Sequence, residues 1–330
     1  MGWLFRSCQC AGEVLSPDHF TTVVWQLAQS LLGVSRKQRL RFHCRTGDTA
    51  MIRTEELSYA TRFAADGVVC CRGLLDRSGL EYAESAYQWS LEHPGPFASE
   101  VLNGVPGSFY QDHAHPDAFP HYRSLIIDSG LAQQVAQILG SQNLWLLYEQ
   151  IWLKEAGDRL PTPWHQDLPY LPLEGKQIAT IWINLDPVQQ ADSLEFVRGS
   201  QRGPLYNPTT FDAKDRAAQM YEAGVWPALP DIESERTRWD IVSWGIEPSD
   251  VLIFHPAVLH GGAGTKRGTR RRSISLRVIG DESYVAARPD SGLANGDRQT
   301  DDRHDLDPFQ MLAGEEPGTL FRHAAFPRIV

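Results

Sequence analysis

From Asn143 to Gly280 the chain is built of short β-prone runs, and this rhythm restricts the fold more than any other feature. "NLWLLYEQIWLK" (143–154) and "QIATIWINLDPV" (177–188) are dense in aromatic and branched residues, which suit a pleated, half-buried surface. "LEFV", "DVLIFH" and "RRSISLRVIG" continue the pattern, and "EAGDRLP", "VRGSQRGP" and "HGGAGTKRG" supply turns between them. Several short strands without helices between them predict a mainly β fold, a sandwich or barrel with flanking helices, and not βαβ repeats.

Helical periodicity comes earlier. "LLDRSGLEYAESAYQWSLEHPG" repeats its apolar residues at helical spacing until Pro94 and Gly95 stop it, and "SGLAQQVAQILG" ends at Gly140, a C′ glycine. Residues 1–50 look unlike the rest. They hold three of the five cysteines and the basic patch "SRKQRLRFHCR", with one helix expected over about 20–32. They are read as an N-terminal appendage, and 51–330 as a single domain. Within that domain, 207–250 is a long polar insert carrying Trp226, Trp239 and Trp244. The stretch 281–330 is an irregular acidic tail, expected to wrap the surface.

The 330 residues are 42% hydrophobic and 22% charged, enough for a real core. A net charge of −10 argues against a nucleic-acid partner, since phosphate binding needs a positive face. The cysteines (Cys8, Cys10, Cys44, Cys70, Cys71) are odd in number and irregular in spacing, so a reducing compartment is expected and a disulfide framework is not. Cys8, Cys10 and Cys44 lack zinc-site spacing. The longest uncharged stretch, Phe20 to Ser35, is shorter than a bilayer span. No export signal is read at the N-terminus, and Arg6 breaks the myristoylation pattern. These features predict a cytoplasmic protein with no membrane partner.

The chemistry concentrates in "PTPWHQDLPY" (161–170). In an extended segment, residues i and i+2 point the same way, so His165 and Asp167 can converge on one ion. A third ligand must come from a later strand. "DVLIFHPAVLHGG" offers His255 and His260; the glycines after His260 suit a strand end where backbone approaches closely, and His255 reads as a packed histidine. Eleven residues past His260, Arg271 opens "RRSISLRVIG", where Arg271, Ser273, Ser275 and Arg277 share one face and Ile274, Leu276 and Val278 the other. An arginine with a hydroxyl beside it receives a carboxylate through two parallel hydrogen bonds. Two histidines and a carboxylate on one face of a metal form the facial triad of non-haem Fe(II) oxygenases, and Arg271 with Ser273 asks for a carboxylate co-substrate such as 2-oxoglutarate.

"PTPWHQDLPY", "SLEFVRGSQ" and "FHPAVLHGGAGTKRGTRRRSISLRV" resemble the phytanoyl-CoA dioxygenase family over roughly Glu55 to Asp281. The resemblance implies a double-stranded β-helix (jelly roll), with His165, Asp167 and His260 as iron ligands and Arg271 holding the distal carboxylate of 2-oxoglutarate. It also places Gln150 and Trp182 near the co-substrate. Asp192-Ser193-Leu194 and "RGSQ" (198–201) depart from the family's usual turn, which bears on the substrate loops and not on the ligands. Halogenating relatives lack the carboxylate ligand; Asp167 therefore points to hydroxylation of a small organic substrate, with Fe(II), 2-oxoglutarate and O₂ consumed or used. A metal-dependent hydrolase or isomerase on the same triad and a non-catalytic jelly-roll binding module are the alternatives. The insert 207–250 is expected to cover the metal, with one or more of its tryptophans touching substrate; the competing reading is a surface excursion stapled by those tryptophans.

Overall fold

The computed structural model describes residues 58–100, 108–155, 162–210, 218–262, 269–289 and 315–330. The expected appendage and its helix lie outside them. Ser58 caps α1 (Tyr59–Asp66) by accepting from the Thr61 amide, and Gly67 ends it at φ 75°. The chain passes directly into β1 (Val68–Cys71), then into α2 (Arg77–Glu92), whose start is fixed by the Asp76 carboxylate on the Gly79 amide at 2.8 Å. β2 (Ser99–Glu100) and β3 (Ser108–His113) follow, then α3 (Ala118–Arg123) and α4 (Leu131–Leu139), which stops at Gly140 with φ 64°. The remaining elements are strands: β4 (Leu144–Glu155), β5 (Thr162–His165), β6 (Leu173–Gly175), β7 (Ile178–Asn184), β8 (Leu194–Val197), β9 (Ile241–Ser243), β10 (Val251–Phe254), β11 (His260–Gly262), β12 (Arg270–Gly280) and β13 (Ser283–Val285).

Two antiparallel sheets make the jelly-roll core. One has seven strands in the order β1-β10-β7-β12-β4-β3-β2, the other four in the order β5-β11-β8-β9. The period of two along β12 decides what each face meets. Ile274, Leu276 and Val278 pack outward with Ile181, Ile253 and Ile151 onto Ala83 and Tyr87 of α2 and Val135 of α4. Each such fully buried aliphatic side chain contributes ~1.5–3 kcal/mol. Between the sheets, Val68, Leu252 and Phe254 meet Leu194, Phe196 and Val258. The other face of β12, carrying Arg271, Ser273, Ser275 and Arg277, has polar company, and there the chemistry sits.

The insert joins this frame through β9, at the edge of the four-stranded sheet. Trp239 packs with Trp164, Ile232 and Leu259, and Trp244 lies against Phe196. The end of the tail does more than wrap the surface. Phe321, Phe326 and Ile329 are buried, and Ile329 N donates to Leu144 O at 2.8 Å at the start of β4.

Candidate metal and co-substrate site

β11 runs between β5 and β8, which makes His260 the register partner of His165 on one side and of Phe196 on the other. The two imidazoles lie with ring centroids 4.2 Å apart. Each donates its Nδ1 proton to the carbonyl two residues back, His165 to Pro163 O at 2.8 Å and His260 to Val258 O at 2.9 Å. A carbonyl can only accept, so each Nδ1 carries its proton, and each ring turns its Nε2 toward Asp167. Gly261 permits the close strand pairing, because a β-carbon there would stand 3.2 Å from Thr162 O and 3.3 Å from Trp164.

Asp167 arrives by a different route from the strand alternation expected of an extended segment. β5 ends at His165, and Asp167 has helical backbone angles (φ −73°, ψ −34°) that open a 3₁₀ turn over Leu168–Tyr170. The turn swings the carboxylate under the histidines. It is pinned on both sides: Gln166 Nε2 donates to Ala257 O (2.8 Å), Gln166 Oε1 accepts from Tyr206 N (2.9 Å), and Leu168 N donates to Pro256 O (2.9 Å). Asp167 Oδ1 then lies 3.4 Å from His165 Nε2 and 3.7 Å from His260 Nε2. One ligand atom from each of the three residues falls within 4.8 Å of the others. Two imidazole nitrogens and a carboxylate oxygen clustered this way fit a divalent metal held on one face.

The electrostatics agree. Burial, then the neighbouring His165, push His260 down to about 4, so the ring is neutral and available as a ligand. Burial alone would raise the Asp167 carboxyl, but the Arg277 guanidinium and the two histidines outweigh it and hold it well below the usual carboxylate range. His255 stands apart: Nε2 bonds to Gly175 O at 3.0 Å and Nδ1 accepts from Ala257 N at 3.1 Å, so both its nitrogens serve packing.

Arg271 and Ser273 face the interior. Arg271 is 8% exposed and donates from Nη1 to Asp192 O at 2.7 Å, in the turn that departs from the usual family pattern. Ser273 Oγ donates to Asn184 Oδ1 at 2.9 Å. Trp182 stacks on Trp152 at 6.3 Å, and Gln150, the register partner of Ser275, accepts from Arg277 at Oε1 and donates from Nε2 to Gln111. Arg272 points the other way, to Asp186 and Glu84. Three interior residues escaped the sequence reading: Thr180, whose hydroxyl is 3.4 Å from Asp167 Oδ2, Lys154, the register partner of Arg271, and Arg277 in its contact with Asp167. Alternation along β12 puts Arg277 on the face of Arg271; nothing in the sequence says that Asp167 would meet it.

A jelly roll that gathers two histidines and a carboxylate between its sheets is a non-haem metalloprotein of the facial-triad class. Residues 99–273, more than half of the chain, match the model of the family described as Phytanoyl-CoA dioxygenase (PhyH), and the chain belongs to that family. A Caenorhabditis elegans protein named "Probable phytanoyl-CoA dioxygenase" is 28% identical over 160 residues, 46% of this chain; the match spans about half of that relative, 49% of its length. Among solved structures, the epimerase SnoN in complex with Fe3+, alpha ketoglutarate and nogalamycin RO superposes with TM-score 0.60 at 18% identity, over 82% of this chain and 97% of that one. The alpha ketoglutarate dependent carbocyclase SnoK, also from nogalamycin biosynthesis, gives TM-score 0.59 at 19% identity over 83% and 97%. At these identities the likeness is one of fold.

Proposed function

We propose that this protein is an Fe(II)- and 2-oxoglutarate-dependent oxygenase that hydroxylates a small organic molecule. The observation that carries the reading is the pair of backbone-tethered histidines whose side chains converge with Asp167, one possible ligand atom of each within 4.8 Å of the others. In this reading His165, Asp167 and His260 hold the iron. Bound iron supplies O₂ activation coupled to breakdown of 2-oxoglutarate into succinate and CO₂. Arg271, with Ser273 beside it, receives the distal carboxylate, and Gln150 and Trp182 border the same chamber. Asp167 occupies the place that a halide would need, which favours hydroxylation. Buried, free Cys70 and Cys71 suit a reducing compartment such as the cytoplasm, and no helix among the described residues is long and apolar enough to cross a membrane.

The deciding experiment is succinate release from 2-oxoglutarate across a panel of small metabolites, with products analysed by mass. Succinate that depends on Fe(II) and O₂, paired with one added oxygen in a product, supports the reading. Substrate conversion without consumption of 2-oxoglutarate would move the protein to metal-dependent hydrolysis or isomerisation. Metal and 2-oxoglutarate binding without any turnover across the panel would favour a binding module.

A further inference from the structure

We propose that Arg277 is a positioning residue that confines Asp167 to binding the metal through one oxygen. This rests on the reading that the triad holds iron. Arg277 is buried on the interior face of β12, 8% exposed. Its Nη1 donates to Gln150 Oε1 at 2.6 Å and to Ser275 Oγ at 2.7 Å, and its guanidinium lies 5.0 Å over the Tyr148 ring. Those three contacts fix the guanidinium plane with neutral groups. Nη2 is thereby aimed at Asp167 Oδ2, 3.3 Å away, and Asp167 is the one carboxylate that Arg277 pairs with among the described residues.

The two oxygens of Asp167 are thus divided. Oδ1 faces the histidine nitrogens, while Oδ2 faces Arg277 and the Thr180 hydroxyl. Turning the carboxylate to offer both oxygens to a metal would pull Oδ2 from these donors and strand a buried guanidinium, which costs more than an ordinary hydrogen bond. A one-oxygen ligand keeps the remaining metal positions open. Stability alone does not account for the arrangement, because buried ion pairs seldom stabilise a fold better than apolar side chains of similar volume.

The test uses Co(II) as the probe, in competition with a chelator and without O₂ or 2-oxoglutarate, on the full chain and on Arg277→Gln, Arg277→Lys and Gln150→Leu. Visible Co(II) absorption reports the ligand arrangement, and thermal melting of the metal-free proteins reports folding. Arg277→Gln should weaken Co(II) binding roughly 10–100-fold, the range for losing a group that orients a ligand, and should change the absorption spectrum. Arg277→Lys should recover affinity in part but not the spectrum, since an ammonium cannot reach Gln150, Ser275 and Asp167 in one plane. Gln150→Leu, which frees the guanidinium, should shift affinity and spectrum in the same direction by less. Unchanged affinity and spectrum in Arg277→Gln overturn the proposal whatever its melting temperature. If that variant does not fold, the same indifference in Gln150→Leu overturns it. Wild-type protein that takes up no Co(II) overturns the iron reading itself.

Discussion

His165 and His260 face one another as direct register partners across the β5–β11 ladder, each ring tethered by the carbonyl two residues before it. The tethers set ring orientation and tautomer before any ion arrives. His260→Ala should therefore abolish metal uptake and succinate release, a loss greater than 100-fold, because removing a ligand costs more than removing its support. His255→Ala should keep metal uptake and instead lower stability by ~1–3 kcal/mol, the cost of abandoning its buried backbone bonds. Metal analysis beside thermal melting separates the two; a metal-free His255→Ala protein would reverse the assignment.

Arg271 and Arg272 are neighbours with opposite surroundings. Arg271→Leu should raise the KM for 2-oxoglutarate roughly 10–100-fold, in line with ~1.5–3 kcal/mol for hydrogen bonds to a charged group, and Arg271→Lys should restore part of it. Arg272→Leu should leave that KM alone and lower the melting temperature, since it ties β12 to Asp186 and Glu84. Steady-state kinetics would expose an error at once if Arg272→Leu had the larger effect on KM.

Glu149 is buried under the helices, accepting from the His115 amide at 2.9 Å, and burial pushes its carboxyl up to about 8. Its ordinary value is 4.5. Between those values the unfolded chain has released a proton that the folded one retains, so stability is complete below about 4.5 and falls as pH rises toward about 8. Glu149→Gln keeps the acceptor and removes the ionisation. The variant should melt higher than wild type at pH 8, with the gap closing as pH falls toward 5. A constant gap in melting curves across that range would show that Glu149 does not titrate in this window.

The tryptophans of the insert divide by environment. Trp226 rests edge-on against Tyr221 at 5.3 Å and under Arg288, and Tyr221 reaches Pro169 O just after Asp167. Trp239 is embedded beside Leu259 and Ile232. Trp226→Ala should leave 2-oxoglutarate consumption intact while lowering the fraction coupled to product, as expected for a cover over the site. Trp239→Ala should act on stability instead, by ~1–3 kcal/mol for a half-buried aromatic. Equal coupling ratios in Trp226→Ala and wild type would reduce the insert to a staple.

The sequence made the strand runs, both long helices and where they stop legible, because period and punctuation are local properties. It hid β3, whose "SFYQDH" mixes polar residues into a strand that exists by pairing with the edge of β4. It hid β1 as well, four residues long and too short for any period to show. At the site, the identity of the triad could be read from residue type and spacing. The way Asp167 gets there could not, since a helical turn after His165 replaces the extended geometry that the spacing suggested. The Arg277–Asp167 contact was hidden for the same reason, joining residues 110 apart in the chain.

The strand order has a consequence for how the chain reaches its native state. β12 lies between β7 and β4 at the middle of the larger sheet, and β11 lies between β5 and β8 in the smaller one. Both central strands lie between residues 260 and 280, long after the neighbours they join. Until they insert, β4 and β7 each leave an edge open to other chains, the condition under which β proteins aggregate. Assembly by such distant pairings is slow. During synthesis the protein must pass a long interval with its hydrophobic strands made but its sheets unclosed, and the last ligand of the triad arrives with the strands that close them.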